Sequence, residues 1–362
     1  MSCCESCKPK PKILAVILDL DGTLLDTEST TKGVLEEFLA KYGKQIDRER
    51  EDKKRLGATQ KESAAGIVKD YVLPLTPDQY TKEITPMWQK AKPLPGANRL
   101  IKHLHKHGVP FALASNSLRE YIDAKISHHR GWKEYFSVIL GSDQVKEGKP
   151  SPYLFEEAAK RMGVDAAHCL VIEDSLVGVR AANAAKMKVV AVPPHTEAGC
   201  SSLADSVLHS LLEFQPELWG LPPFEDWIDN ALPIEPIHVS ISVNGSAAEV
   251  AEDGTSALPD QVFGLYFGWA KVDMNKSFKV VVSIGWDHYP CTAKRKICTY
   301  VIDGNNDHLS DQQIQLLLVG YIRELNGKDV TSLSAEMLEE YKCIAGASLD
   351  LPVSVHHSSS CL

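Results

Sequence analysis

KILAVILDLDGTLLD, residues 12–26, is the stretch from which the fold is read. Ile13–Leu18 is an unbroken apolar run, the composition of a strand buried on both faces of a parallel sheet. Asp19, Asp21, Gly22 and Thr23 follow at its carboxyl end, the edge where open α/β sheets bind ligands. Two carboxylates two residues apart beyond a buried strand cannot both be buried without a cation or protons. Taken alone, the same residues also describe an Asp-Gly turn with solvated acids. The rest of the chain decides between the two.

Downstream, Thr30–Tyr42 carries Val34, Leu35, Phe38 and Leu39 at helical spacing. A charged, mostly helical block with the polar loop KRLGATQ (54–60) then runs to about Trp88 and returns at Leu94-Pro95-Gly96. It reads as a small helical cap, about residues 28–93, inserted after the first strand. Strand–helix alternation resumes with Pro110–Ala114, closed by Ser115-Asn116-Ser117 at a helix start, where free N–H groups and hydroxyls suit an anion. Ser137–Gly141 leads to GKPSP (148–152), whose Lys149 sits on a stiff loop as a fixed point charge. Cys169–Ile172 leads into Glu173-Asp174-Ser175 and a helix, and Val189–Val192 is the last strand of this part. The fold class expected is α/β, a doubly wound parallel sheet with an inserted helical cap.

Four strand ends thus supply Asp19 and Asp21, then Ser115, then Lys149, then Glu173 and Asp174. A carboxylate can attack phosphorus to give an aspartyl-phosphate, splitting one hard hydrolysis into two easier steps. Its charge repels a phosphate dianion, so a cation must bridge them. Mg²⁺ takes a few carboxylates plus water and phosphate oxygens, and Asp19 and Asp174, with Glu173 nearby, fit that demand. Lys149 and Ser115 can hold the equatorial oxygens. Asp21 is placed to protonate the leaving oxygen and then activate water.

DLDGT (19–23), SNS (115–117), GKPSP (148–152) and EDS (173–175) resemble the four motifs of haloacid-dehalogenase-type phosphatases, and GVRAANAAKM (178–187) resembles the helix after the fourth motif in their cap-bearing sugar-phosphatase subgroup. The resemblance covers about residues 12–215. It implies Asp19 as nucleophile, Asp21 as acid and base, and Mg²⁺ held by Asp19, the Asp21 main-chain carbonyl and Asp174. It also implies phosphate contacts from Ser115, Asn116 and Lys149. A cap of this kind selects the substrate, with Arg55, Gly57 and Lys61 as candidates.

Residues 214–236 are rich in proline and aromatics and read as an ordered connector. Beyond it, Phe263–Val272, Phe278–Ile284 and Ile314–Ile322 read as strands and Leu333–Ile344 as a helix, an antiparallel β-barrel-like module. LPIEP (232–236), GLYFGWAKV (264–272), VVSIGWDHY (281–289) and LLLVGYIRE (316–324) resemble riboflavin kinase. A phosphatase followed by that kinase is the order of plant bifunctional proteins, which implies FMN as substrate of the first half and riboflavin binding by the second. HVSISVNGSAAEVAEDGTSA (238–257) lacks the family's glycine-rich, PTAN-bearing nucleotide loop, and Cys298 stands where the family has a catalytic Glu. A phosphate cradle favours glycine, and only a thiolate could act as base. Kinase activity is therefore expected to be absent or severely reduced. The alternatives are a sugar-phosphate or nucleotide phosphatase with a non-catalytic flavin-binding module, and a working bifunctional enzyme.

Composition bounds the rest. At 362 residues two domains are expected: 12–215 and 233–352, joined by 216–232, with disordered tails at 1–11 and 353–362. A net charge of -9 and no Lys/Arg block argue against nucleic acid or an anionic membrane as partner, while a local pocket still suits a small phosphorylated substrate. Nine scattered cysteines fit a reducing compartment, and the cytoplasm is the expected location.

Overall fold

β1 (Ala15–Leu18) is wholly shielded from solvent, which is why its sequence is apolar on both faces. In the computed structural model residues 12–47, 51, 60–195, 199–244, 247–250, 258–273, 276–289, 292–304, 313–325 and 333–351 are described. They fall into two units: Met1–Leu208 with Pro216–Pro222, and His209–Gln215 with Pro223–Leu362.

In the first unit β1 is followed by the helices α1 (Thr27–Lys41), α2 (Gln60–Asp70) and α3 (Pro77–Ile84) and a 3₁₀ stretch, Thr85–Lys90. These share a core of their own that includes Val34, Phe38, Ile67, Tyr80 and Ile84. The chain leaves and re-enters the sheet at one point: the Asp26 N–H donates to Lys92 O (2.9 Å) and the Leu94 N–H to Leu24 O (2.9 Å). That pair of bonds closes the excursion into a separate helical lobe.

The sheet resumes through α4 (Ala97–Lys106), β2 (Phe111–Ala114), α5 (Arg119–Ile126), α6 (Trp132–Tyr135), β3 (Val138–Leu140), α7 (Tyr153–Met162), β4 (Cys169–Glu173), α8 (Leu176–Ala184), β5 (Lys188–Ala191) and β6 (Ser206–Val207). The strand order is β3-β2-β1-β4-β5-β6, and every pairing is parallel. Ala15 and Ile17 face Leu154, Phe155, Val179 and Ala182 across one layer. β1 therefore lies centrally, and its carboxyl end emerges at the reversal in strand order between β2 and β4, where α/β sheets open a crevice. β6 was not read from the sequence; its two residues are too few to set a pattern.

The second unit is a closed antiparallel barrel of β7 (Leu232–Asn244), β8 (Ala247–Val250), β9 (Gly264–Asp273), β10 (Lys276–Tyr289), β11 (Thr292–Val301) and β12 (Gln313–Arg323), in the order β10-β11-β8-β7-β12-β9. α9 (Ala335–Leu349), capped by Ser334, sets Tyr341, Ala345 and Leu349 against Phe267, Val281 and Ile322. Residues 238–244, read above only as a failed glycine loop, belong to β7, where Val239 and Ile241 point into the barrel core. Among the described residues no helix is long and apolar enough to cross a membrane.

Candidate active site

The Asp19 N–H donates to Ile172 O (3.0 Å), one residue beyond the β1–β4 register. That bond sets Asp19 beside Glu173 at the end of β4. Gly22 has φ +85°, and a Cβ there would lie 2.2 Å from Asp174 Oδ2. Only glycine lets the loop after β1 pass that close to the loop after β4. Thr23 Oγ1 donates to Asp174 Oδ1 (3.0 Å) and locks the two loops together.

Lys149 reaches in from the loop after β3. Its Nζ donates to Asp19 Oδ1 (2.5 Å) and Glu173 Oε1 (2.7 Å), with side-chain exposures of 3% for the lysine and 1% for the glutamate. The ammonium also lies 4.9 Å from the centroid of the Phe155 ring. Asn116 holds the lysine's main chain at both ends, accepting from the Lys149 N–H (2.8 Å) and donating to its carbonyl (3.1 Å). Glu173 Oε2 accepts from the N–H (2.7 Å) and hydroxyl (2.9 Å) of Ser175, whose oxygen caps α8 by accepting from the Gly178 N–H (3.1 Å).

These charges are far from balanced. Burial pushes the Asp19 carboxyl up to about 7, against the pull of Lys149 and with the added push of Glu173 and Asp21. Burial also holds Asp174 well above the usual carboxylate range, helped by Glu173 and Asp19. For Lys149 burial works against the charge, yet Asp19 and Glu173 outweigh it and the net shift is upward. Carboxylate oxygens of Asp19, Glu173 and Asp174 lie within 4.8 Å of one another. Two buried acids and the half-buried Asp174 meeting one ammonium make a hard, oxygen-only donor set that suits a divalent cation of the Mg²⁺ type.

Asp21 lies in different surroundings. Its Oδ2 accepts from Ser115 Oγ (3.1 Å) and Ser117 Oγ (2.7 Å), and its Oδ1 from Lys125 Nζ (2.5 Å). Although burial alone would raise it, Lys125 and the two hydroxyls hold Asp21 below the ordinary carboxylate value. Lys125, on α5, was missed from the sequence. A lysine in a helix reads as a surface charge, and only its place on the second turn after Ser117 hints that it points back to the motif. Asp19, Asp21, Ser115, Lys149, Glu173 and Asp174 are thus brought into one cluster, and Asn116 borders it through Lys149. Arg55 and Gly57 lie outside the described residues, as does the side chain of Lys61.

A family model for haloacid dehalogenase-like hydrolases matches residues 13–186, and one for riboflavin kinase matches residues 246–344. A bifunctional riboflavin kinase/FMN phosphatase of Arabidopsis thaliana is 45% identical, over 93% of this chain and 93% of its own length. This chain belongs to the bifunctional riboflavin kinase/FMN phosphatase family. A (DL)-glycerol-3-phosphatase of A. thaliana is 40% identical over 59% of this chain and 94% of its own. A hydrolase of Deinococcus radiodurans, solved with phosphate and sodium, superposes with a TM-score of 0.50 at 27% identity, covering 60% of this chain and all (100%) of the other.

These matches do not bear out the expected loss of the kinase. The riboflavin kinase model runs from β8 through most of α9, and the relative named for both activities is similar along nearly its whole length. Cys298 itself is paired in β11 with Ser283 of β10. Burial raises its thiol above the ordinary value despite the Ser283 and Tyr300 hydrogen bonds, so it is a neutral thiol near pH 7. A Cys298 thiolate is therefore not available as a base in the barrel unit.

Proposed function

We propose that the first unit hydrolyses phosphate monoesters through an aspartyl-phosphate on Asp19, with FMN as substrate and riboflavin and phosphate as products. The observation that carries the reading is the buried Asp19–Lys149–Glu173 group at the carboxyl end of the central strand. The choice of FMN rests on the Arabidopsis relative. Asp19 attacks phosphorus as the ester P–O bond breaks, and the leaving oxygen takes a proton from Asp21. Water then attacks the phosphoenzyme, giving its proton to Asp21, and Asp19 is freed as phosphate departs.

Lys149 neutralises one charge of the acid group and would hold an equatorial phosphate oxygen together with Ser115; Asn116 fixes the lysine loop. Asp21 starts as an ionised carboxylate in the grip of Lys125, so in the first turnover it takes the proton it donates from solvent, and in later ones from the attacking water. Asp19, Asp174 and the Asp21 main-chain carbonyl would hold Mg²⁺, with Glu173 beside them. When bound, the ion supplies the positive charge that keeps Asp19 ionised and offsets the dianion.

The test is phosphate release from FMN and a set of sugar phosphates. FMN is expected to be turned over fastest, Asp19→Asn to abolish release, and excess EDTA to abolish it reversibly. Wild-type rates in Asp19→Asn would refute the nucleophile, and preference for a sugar phosphate would refute the substrate. A second reading, that the barrel unit phosphorylates riboflavin, is favoured by the riboflavin kinase match at 246–344. ATP-dependent FMN formation by the full chain tests it, using Asp19→Asn so that product is not hydrolysed.

A further inference from the structure

We propose that His209, Glu213 and Glu324, in the barrel unit, form a site for one divalent transition-metal ion, zinc by its chemistry. His209 opens the segment His209–Gln215, and its ring stacks on Phe263 with centroids 4.2 Å apart and planes 19° from parallel. That stacking fixes the ring's tilt and leaves its nitrogens at the edge. Nδ1 lies 3.7 Å from Glu213 Oε2, and the same oxygen accepts the His209 N–H at 2.9 Å. Glu324 follows directly on β12 and closes the group: one donor atom from each residue lies within 4.8 Å of the others.

Three histidine and acid side chains near one another are common on surfaces, so proximity alone decides nothing. Glu213 is what sets this group apart. Its side chain is only 5% exposed, and its Oε1 is shut off from solvent with no hydrogen-bond partner among the described residues. Tyr321, whose hydroxyl is buried and equally unpartnered, feels the charge of Glu213 and is pushed upward chiefly by burial and then by that charge. A buried carboxylate with a free oxygen is a strained arrangement unless something positive completes it. The ion pair found for Glu213 among the described residues is with His209, which is itself shared with a second acid.

The donor set selects the ion. Mg²⁺ and Ca²⁺ take oxygen ligands, whereas one imidazole with two carboxylates suits zinc and leaves a fourth position for water. Tetrahedral zinc at about 2.0–2.2 Å from its ligands spaces them roughly 3.3 Å apart. Glu324, exposed at its side chain, is the ligand expected to move toward that spacing. The bound ion would tie residues 209–213 to the end of β12 within the barrel unit.

The full-length protein, stripped with chelator and kept in millimolar Mg²⁺ to occupy the Asp19 group, is titrated with Zn²⁺ against a chromogenic zinc indicator. Glu324→Gln and His209→Asn, both at exposed side chains, are expected to weaken one equivalent of zinc at least about 10-fold while FMN hydrolysis stays at the wild-type rate. X-ray absorption at the zinc edge is expected to show a nitrogen and oxygen shell with one imidazole. Unchanged affinity in both variants, a sulfur-containing shell, or no zinc bound below about millimolar would overturn the site.

Discussion

Alanine in place of glycine has opposite consequences at two helical positions of the first unit. At Gly178, in α8, an added Cβ would stand 1.7 Å from Glu173 Oε1 and 1.9 Å from its Cδ. A side-chain tip normally swings away at little cost, but this one is held by Lys149 and twice by Ser175. Moving it breaks a buried ion pair, which costs about 3–5 kcal/mol. For a unit of this size that is roughly 6–20 °C of Tm. At Gly66, inside α2, nothing lies within 4 Å of the same Cβ. There alanine removes only the entropy cost of glycine and stabilises by about 0.5–1 kcal/mol. Calorimetry on Gly178→Ala and Gly66→Ala in parallel reads both, and phosphate release from FMN is expected to collapse in the first and stay unchanged in the second. If Gly178→Ala melted within about 2 °C of wild type with kcat intact, the claim that Glu173 is clamped would be wrong.

Lys125→Met removes the strongest contact of Asp21, and kcat for FMN is expected to fall about 100-fold with KM changed little; a change confined to KM would show that Lys125 contacts substrate instead. Lys149→Met leaves Asp19 and Glu173 facing each other buried, so activity should be lost while stabilisation by Mg²⁺, followed by thermal shift, becomes larger than in wild type. His129 sits below its usual 6.5 because burial opposes its charge, only partly offset by the Ala91 main chain. The unfolded imidazole then binds the proton more readily, so its contribution is complete above pH 6.5 and is lost as pH falls below it; urea midpoints of His129→Asn should fall less than wild type between about pH 7 and 5.5. Arg295 donates to the carbonyls of Leu258 (2.5 Å), Pro259 (2.5 Å) and Val262 (3.3 Å), and Arg295→Met should cost the barrel about 2–4 kcal/mol by denaturant unfolding.

The catalytic strand ends were legible because each motif combines a short apolar run with polar residues at a fixed edge, and sheet topology does the rest. Lys125 was not legible, because its role depends on how far α5 turns back toward Asp21, which no local pattern records. The His-Val-Ser-Ile-Ser alternation at 238–242 was legible in principle as a half-buried strand, and Val239 and Ile241 do face inward. Its serines and the resemblance to a glycine loop at the same place mask the alternation. His209, Glu213 and Glu324 lie more than a hundred residues apart in part, so only the closure of the barrel brings them together.

Asp21–Gly22 carries a further consequence for the lifetime of the protein. Among aspartyl steps, aspartyl-glycine is the one most given to cyclising into a succinimide and reopening as isoaspartate, since no side chain hinders the glycine nitrogen. Here that nitrogen is spent on Leu25 O (2.9 Å), and the carboxylate is turned toward Lys125 and two serines. Both would have to be released together before the ring could close, so this backbone ages only as fast as the loop around it opens.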